Sequence, residues 1–154
     1  MRLPAVRLPP ADYRLSKIDF STEFGRRVAE QLKSEQVIWL TTVGPGNTPQ
    51  PRPVWFWWDG ASVLIYSKPK AFKLRHIRRY PNVSLHFNSD PAANEVAVIV
   101  GRASVVRTAP AANEHKEYLR KYRKAIANLG MGAKDFGEGY SVAIVVTPAR
   151  LRGF

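Results

Sequence analysis

The stretch PRPVWFWWDGASVLIYSKPKAFKLRHIRRYP, residues 51–81, decides how this chain is read. Its pattern is strand, tight turn, strand, then a short helix crowded with positive charge. Asp59-Gly60 is the strongest short hairpin signal. It joins a strand over residues 50–58 to one over residues 61–67. From residue 60 to residue 89 there is no acidic side chain, while Lys68, Lys70, Lys73, Arg75, Arg78 and Arg79 fall in the same interval. The second strand ends at Ser67, which is placed to cap a helix over residues 70–79 that Pro81 terminates. A helix N-terminus presents free N–H groups and the positive end of a dipole, so this junction suits a phosphate. Trp55, Phe56, Trp57 and Trp58 lie beside it. A phosphate seat next to a flat apolar wall suits a phosphorylated ring cofactor.

Around this segment the pattern is mostly β. Ser21 or Thr22 can cap a first helix to residue 34, with Phe24, Val28 and Leu32 on one face. Residues 37–43 (VIWLTTV) read as a strand and residues 44–47 (GPGN) as a turn. Residues 83–88 alternate and form a further strand. Residues 95–107 form a long one, with a bulge or bend expected at Gly101. Thr108 is expected to cap a helix reaching Asn128, with Leu119, Tyr122, Ile126 and Leu129 at helical spacing and Gly130 just past its end. The glycine-rich residues 130–139 (GMGAKDFGEG) read as a mobile loop, and residues 140–147 as a last buried strand. Hairpins outnumber crossovers. The expected fold is therefore mainly β with flanking helices: a six-stranded antiparallel barrel over residues 21–154, preceded by an extended arm over residues 1–20 that holds Pro4, Pro9 and Pro10.

Composition limits the chemistry. The chain has 154 residues, 45% of them apolar, enough for one domain with a real core. It has no cysteine, which excludes disulfides, thiol nucleophiles and zinc–thiolate sites, and a cytoplasmic location is expected. No apolar run approaches the roughly 20 residues of a membrane span. A net charge of +12 points to an anionic partner. Dinucleotide, phosphate-loop, GxSxG and HExxH motifs are all missing. His76, His86 and His115 have no metal-ligand spacing and read as structural or solvated, His76 standing out because it lies one turn after Lys73. The cations of residues 116–124 read as a solvated helix face. In the aromatic run, alternation sends two side chains inward and two outward, the outward pair marking an interface or a ligand surface.

The strand VIWLTTV, then Arg52-Pro53-Val54, then residues 64–87 (LIYSKPKAFKLRHIRRYPNVSLHF) resemble the pyridoxamine-phosphate-oxidase-like split β-barrel proteins, also called FMN-binding split barrels. They most resemble the actinobacterial branch that uses the deazaflavin coenzyme F420. The likeness covers residues 22–147 and is sharpest at Ser67, Lys73, Arg75, His76, Ile77 and Arg79-Tyr80-Pro81. It implies a homodimer with cofactor sites at the subunit interface. It implies that Arg52, Ser67, Lys68 and Lys73 hold the cofactor phosphate, with Arg75 among the cofactor-binding residues, and that the backbone of Pro53, Val54, Trp55 and Phe56 flanks the ring. The flavin-phosphate oxidases tend to carry a basic residue a few positions after the arginine of that strand, whereas Val54 to Trp58 is wholly apolar and aromatic here. Coenzyme F420 carries a phosphate and an acidic glutamyl tail, which suits the cationic excess. The implied activity is hydride transfer from reduced deazaflavin to a flat unsaturated small molecule, with Tyr66 or Tyr140 as conceivable proton donors. The alternatives are an FMN-dependent oxidase or reductase on the same fold, a non-catalytic F420 carrier, and a nucleic-acid-binding barrel, the last disfavoured by the absence of the usual RNA-module motifs.

Overall fold

A computed structural model describes residues 18–154. The arm expected over residues 1–20 lies almost wholly outside them. The element order is α1 (Glu23–Ser34), β1 (Ile38–Gly44), β2 (Thr48–Val54), β3 (Trp57–Trp58), β4 (Val63–Ser67), α2 (Phe72–Arg79), β5 (Asn82–His86), β6 (Ala97–Val106), α3 (Lys116–Asn128), α4 (Ala133–Gly139) and β7 (Val142–Gly153). All strands pair antiparallel in one seven-stranded sheet, in the order β2-β1-β5-β6-β7-β4-β3.

The count of seven strands, where the sequence suggests six, has one local cause. Residues 50–58 do not form a continuous strand. β2 pairs with β1, the chain breaks at Trp55 and Phe56, and β3 pairs with β4. At the break, the Phe56 N–H donates to the Tyr122 hydroxyl (2.8 Å) instead of to a neighbouring strand. β2 and β3 are thus opposite edges of the sheet, yet only two residues separate them. Two residues and their flanking bonds span roughly 10 Å, so the sheet must curl until its edges meet. The result is a half-barrel with helices packed around it. Pro49, Pro51 and Pro53 share one side of β2, so its outer edge lacks donors there and resists pairing with another strand.

Local chemistry sets the remaining boundaries. The Thr22 hydroxyl accepts from the Gly25 N–H (2.9 Å) and starts α1, whose Val28 and Leu32 are fully buried. Gly101 sits where the β6–β7 register shifts, and a Cβ there would lie 2.7 Å from the Thr147 carbonyl oxygen. Gly130 takes φ +71° just past α3. Three expectations fail. Ser67 does not cap α2, because its hydroxyl donates to the Lys68 carbonyl (3.1 Å) and the helix starts later, at Phe72, with Ala71 in the N-cap position and no side-chain cap. Thr108 does not cap α3; the His115 Nδ1 does, accepting from the Tyr118 N–H (3.1 Å). Residues 133–139 form α4 rather than a mobile loop, because Phe136 is buried against Trp55, Tyr118 and Tyr140. Packing of that one ring outweighs the low helix propensity of its glycine neighbours.

β4 is buried on both faces and separates two cores. Val63 and Ile65 point into the curled sheet, among Leu32, Ile38, Leu85 and Ile144. Leu64 and Tyr66 point the other way, into an aromatic cluster with Tyr118, Tyr122, Ile126 and Phe136. Leu129, expected on the inner face of α3, is 53% exposed. No tryptophan is left as an exposed apolar group. Trp55 stacks on Tyr122 (4.9 Å), Trp57 meets the His115 ring (4.4 Å), and Trp58 meets Phe20 (5.9 Å). Flanking chain covers the outward face that alternation alone would leave open. Among the described residues, no helix is long and apolar enough to cross a membrane.

Candidate functional site

The end of β2, the turn from β4 to α2, and the helices α3 and α4 enclose a cavity of about 420 Å³. Its walls are Pro53, Val54 and Trp55 on one side and Tyr66, Tyr118, Leu129, Phe136 and Tyr140 on others, with Lys68, Ala71 and Lys73 at one end. Five of its eleven lining residues are thus aromatic, and two, Lys68 and Lys73, are cationic. Beyond Pro53, Ala71 and Lys73 it runs into a second hollow of about 290 Å³, lined also by Thr42, Gln50, Arg52, Phe72 and His76. That hollow shares Gln50, Arg52, Phe72 and His76 with a third, which reaches Arg75, Arg79 and Tyr80. The three form one groove between β2 and α2, aromatic at one end and basic at the other.

No aspartate or glutamate among the described residues lines any part of it. Among the described residues, Arg52, Lys68, Lys73, Arg75 and Arg79 have no ion-pair partner. Lys73 stands at the junction of the aromatic and basic parts. Burial and then the Arg52 guanidinium push its amine below the usual lysine range. Lys68 lies over the Tyr140 ring (5.5 Å) and Arg75 over the Phe72 ring (4.9 Å). His76 is buried, with Nδ1 3.0 Å from the Thr42 hydroxyl. The Tyr66 hydroxyl donates to the Pro110 carbonyl (2.7 Å), and burial pushes its pKa up to about 12.

The residues expected at the site distribute as follows. Arg52, Pro53, Val54, Trp55, Lys68 and Lys73 line the aromatic cavity or its basic neighbour. Arg75 lines only the outer basic reach. Ser67 is 1% exposed and is not part of these linings. Phe56 is fully buried, and its backbone is already engaged: Tyr122 takes its N–H, and the Lys121 Nζ donates to its carbonyl (3.0 Å). The sequence reading missed Tyr118, Leu129 and Phe136 as cavity walls. A signal was present, since Tyr118, Tyr122 and Ile126 recur every four residues along α3, but that stripe reads as core before α4 is known to pack on it.

A phosphate-bearing ring fits this donor set. The basic end offers unpaired cations around Lys73, and the aromatic end offers flat walls and few polar atoms. A profile of the pyridoxamine 5′-phosphate oxidase family matches residues 24–154. A search of curated proteins found no match. Among solved structures, a protein from Listeria innocua described as a candidate pyridoxamine 5′-phosphate oxidase superposes with TM-score 0.61 at 22% identity, over 84% of this chain and 96% of its own. An F420 reductase superposes with TM-score 0.56 at 24% identity, over 80% of this chain and 94% of its own. The heme storage protein HutZ from Vibrio cholerae superposes with TM-score 0.59 at 14% identity, over 86% of this chain and 95% of its own. At these identities the likenesses establish the shared fold.

Proposed function

Because the chain belongs to the pyridoxamine 5′-phosphate oxidase family, we propose that its groove binds a phosphorylated ring cofactor, coenzyme F420, and that the protein is an F420-dependent oxidoreductase. One observation carries the reading. Lys73 and Arg52, neighbouring cations without a carboxylate between them, sit where the aromatic cavity opens into the basic groove. Like charges held together out of full solvent repel, and a bound anion relieves them.

In this reading Arg52 and Lys73, supported by Lys68, hold the phosphate. Pro53, Val54 and Trp55 form one wall for the ring, with Tyr66 and Tyr140 completing the enclosure. A deazaflavin supplies hydride when bound, and the protein supplies binding, orientation and electrostatics. Trp55 and Phe136 keep water from the ring end. The Tyr66 hydroxyl stays protonated at neutral pH and is held by the Pro110 carbonyl, so it acts as a fixed dipole. The substrate is a flat, unsaturated small molecule that accepts hydride at the aromatic end. F420 is favoured over FMN because Arg75 and Arg79 extend the cationic lining beyond the Lys73 junction. FMN ends at its phosphate, whereas the acidic tail of F420 continues past it. A homodimer belongs to the same reading: Phe72 and Leu129 border the groove at 64% and 53% exposure, and a second subunit would cover them.

The test is parallel titration of the purified protein with F420 and FMN, followed by ligand fluorescence, with turnover of reduced F420 against quinone and nitro acceptors. Tight binding of the deazaflavin with turnover is the expected result. Preference for FMN would move the protein to the flavin-dependent oxidases, and binding without turnover would make it a carrier. Binding of neither would remove the cofactor reading.

A further inference from the structure

Three tyrosines share the buried aromatic cluster, and their hydroxyls are treated unequally. The Tyr66 hydroxyl donates to the Pro110 carbonyl at 2.7 Å. The Tyr122 hydroxyl is 2.8 Å from the Phe56 N–H and carbonyl and from the Gln36 carbonyl. Tyr118 is as deeply placed, 1% exposed, with its ring edge-on to Tyr66 and tilted against Tyr122, each at 4.8 Å. Its backbone N–H is held by His115, but its hydroxyl has no hydrogen-bond partner among the described residues. That hydroxyl is not one of the fully enclosed unpaired atoms either. The residue lines the aromatic cavity.

A phenol buried without a partner is costly, and native interiors rarely leave one. The described residues supply none, and the hydroxyl is not fully enclosed, so its partner, water or a bound molecule, comes from the cavity side. We infer that Tyr118 is a ligand-facing hydrogen-bond donor: it recognises an acceptor oxygen or nitrogen on the flat molecule in the aromatic cavity, and so selects ring ligands that carry a carbonyl over bare hydrocarbons of the same shape. The apolar walls give affinity for any flat ring, and this one donor gives discrimination. The same division between apolar walls and a few placed polar groups holds for small-molecule sites in general. The inference rests on reading the groove as a ring-binding site, but its test uses no cofactor.

The probes are menadione, a bicyclic quinone, and 2-methylnaphthalene, which has the same skeleton without carbonyls. The chain has no cysteine for the quinone to arylate. Dissociation constants are measured by equilibrium dialysis on the wild type and on Tyr118→Phe, which removes only the hydroxyl. The wild type should bind menadione about tenfold more tightly, the scale of one net hydrogen bond. Tyr118→Phe should bring the two ligands to within about twofold. Melting gives an independent readout. Tyr118→Phe should melt at or above the wild type, whereas Tyr66→Phe should melt lower because the Pro110 carbonyl loses its donor. Equal binding of the two probes by the wild type, a preference that survives in Tyr118→Phe, binding of neither probe, or a lowered melting temperature for Tyr118→Phe would each overturn the inference. Failure of the F420 and FMN titrations alongside the expected probe discrimination would remove the cofactor assignment and leave Tyr118's role standing.

Discussion

Inside the curled sheet, Leu32, Ile38, Leu40, Leu85, Ile99 and Ile144 form an aliphatic core. Between the other face of β4 and the helices α3 and α4, Tyr66, Tyr118, Tyr122 and Phe136 form a core of rings with Trp55 packed against it. The aliphatic core needs only volume to be filled. In the aromatic one, every hydroxyl needs a partner, and the rings stop short of closing, leaving the cavity. The barrel interior is filled by aliphatic side chains, whereas the aromatic cluster borders a cavity of about 420 Å³.

The comparison can be broken first in the barrel. Leu85→Ala removes a fully buried side chain of β5, and should cost about 3 kcal/mol in chemical denaturation. A loss of only a few tenths would show that the interior is loosely packed. In the aromatic core the expected loss is smaller and has another source. Tyr122→Phe keeps the ring but strips the Phe56 N–H and the Gln36 carbonyl of their partner, and should cost about 2 kcal/mol. It should also perturb Trp55, which stacks on that ring at 4.9 Å, so tryptophan fluorescence should change. No change in either quantity would mean that the strand crossing at Trp55 and Phe56 is held without this hydroxyl.

Lys121 sharpens the contrast through pH. Its amine donates to the Phe56 carbonyl and lies 3.7 Å from the Phe56 ring centre. Burial lowers its pKa to about 8 from an ordinary 10.5, with Glu35 opposing the shift. A lysine whose pKa is lower in the fold than in the unfolded chain disfavours folding while it is charged. That penalty is fully present below pH 8 and fades as pH rises toward 10.5. The stability of Lys121→Met relative to wild type should therefore be most favourable below pH 8 and decline above it. Because the side chain is partly solvated, the amplitude is small. A difference that is flat from pH 7 to pH 10 would rule out the burial penalty.

Much of the fold is legible because its signals are local. Thr22 caps α1, Asp59-Gly60 turns one strand into the next, and Gly101 marks the register shift, each readable from a few neighbouring residues. The break at Trp55 and Phe56 is not local: its cause is Tyr122, 66 positions along the chain. α4 was hidden for the same reason, since its glycines suggest a loop and only the burial of Phe136 makes it a helix. At the site, the cations of residues 68–79 were legible as an acid-free cluster; Lys68 and Lys73 line the aromatic cavity, and Lys73 with Arg52 lines the hollow next to it. Tyr118 was not, because its neighbour Leu119 is the residue read at helical spacing with Tyr122 and Ile126, and the absence of a partner for its hydroxyl among the described residues exists only in three dimensions.

The central claim is that Lys73, beside Arg52, is the anion seat of a ring-binding groove. The most direct measurement is the dissociation constant of F420 for Lys73→Ala against wild type, with the melting temperature of each. Loss of the cation should weaken F420 at least tenfold, the scale of one charge-assisted contact. The melting temperature should hold or rise, because a cation driven below its usual pKa by burial and by Arg52 is removed. An unchanged dissociation constant in a folded Lys73→Ala protein would contradict the account.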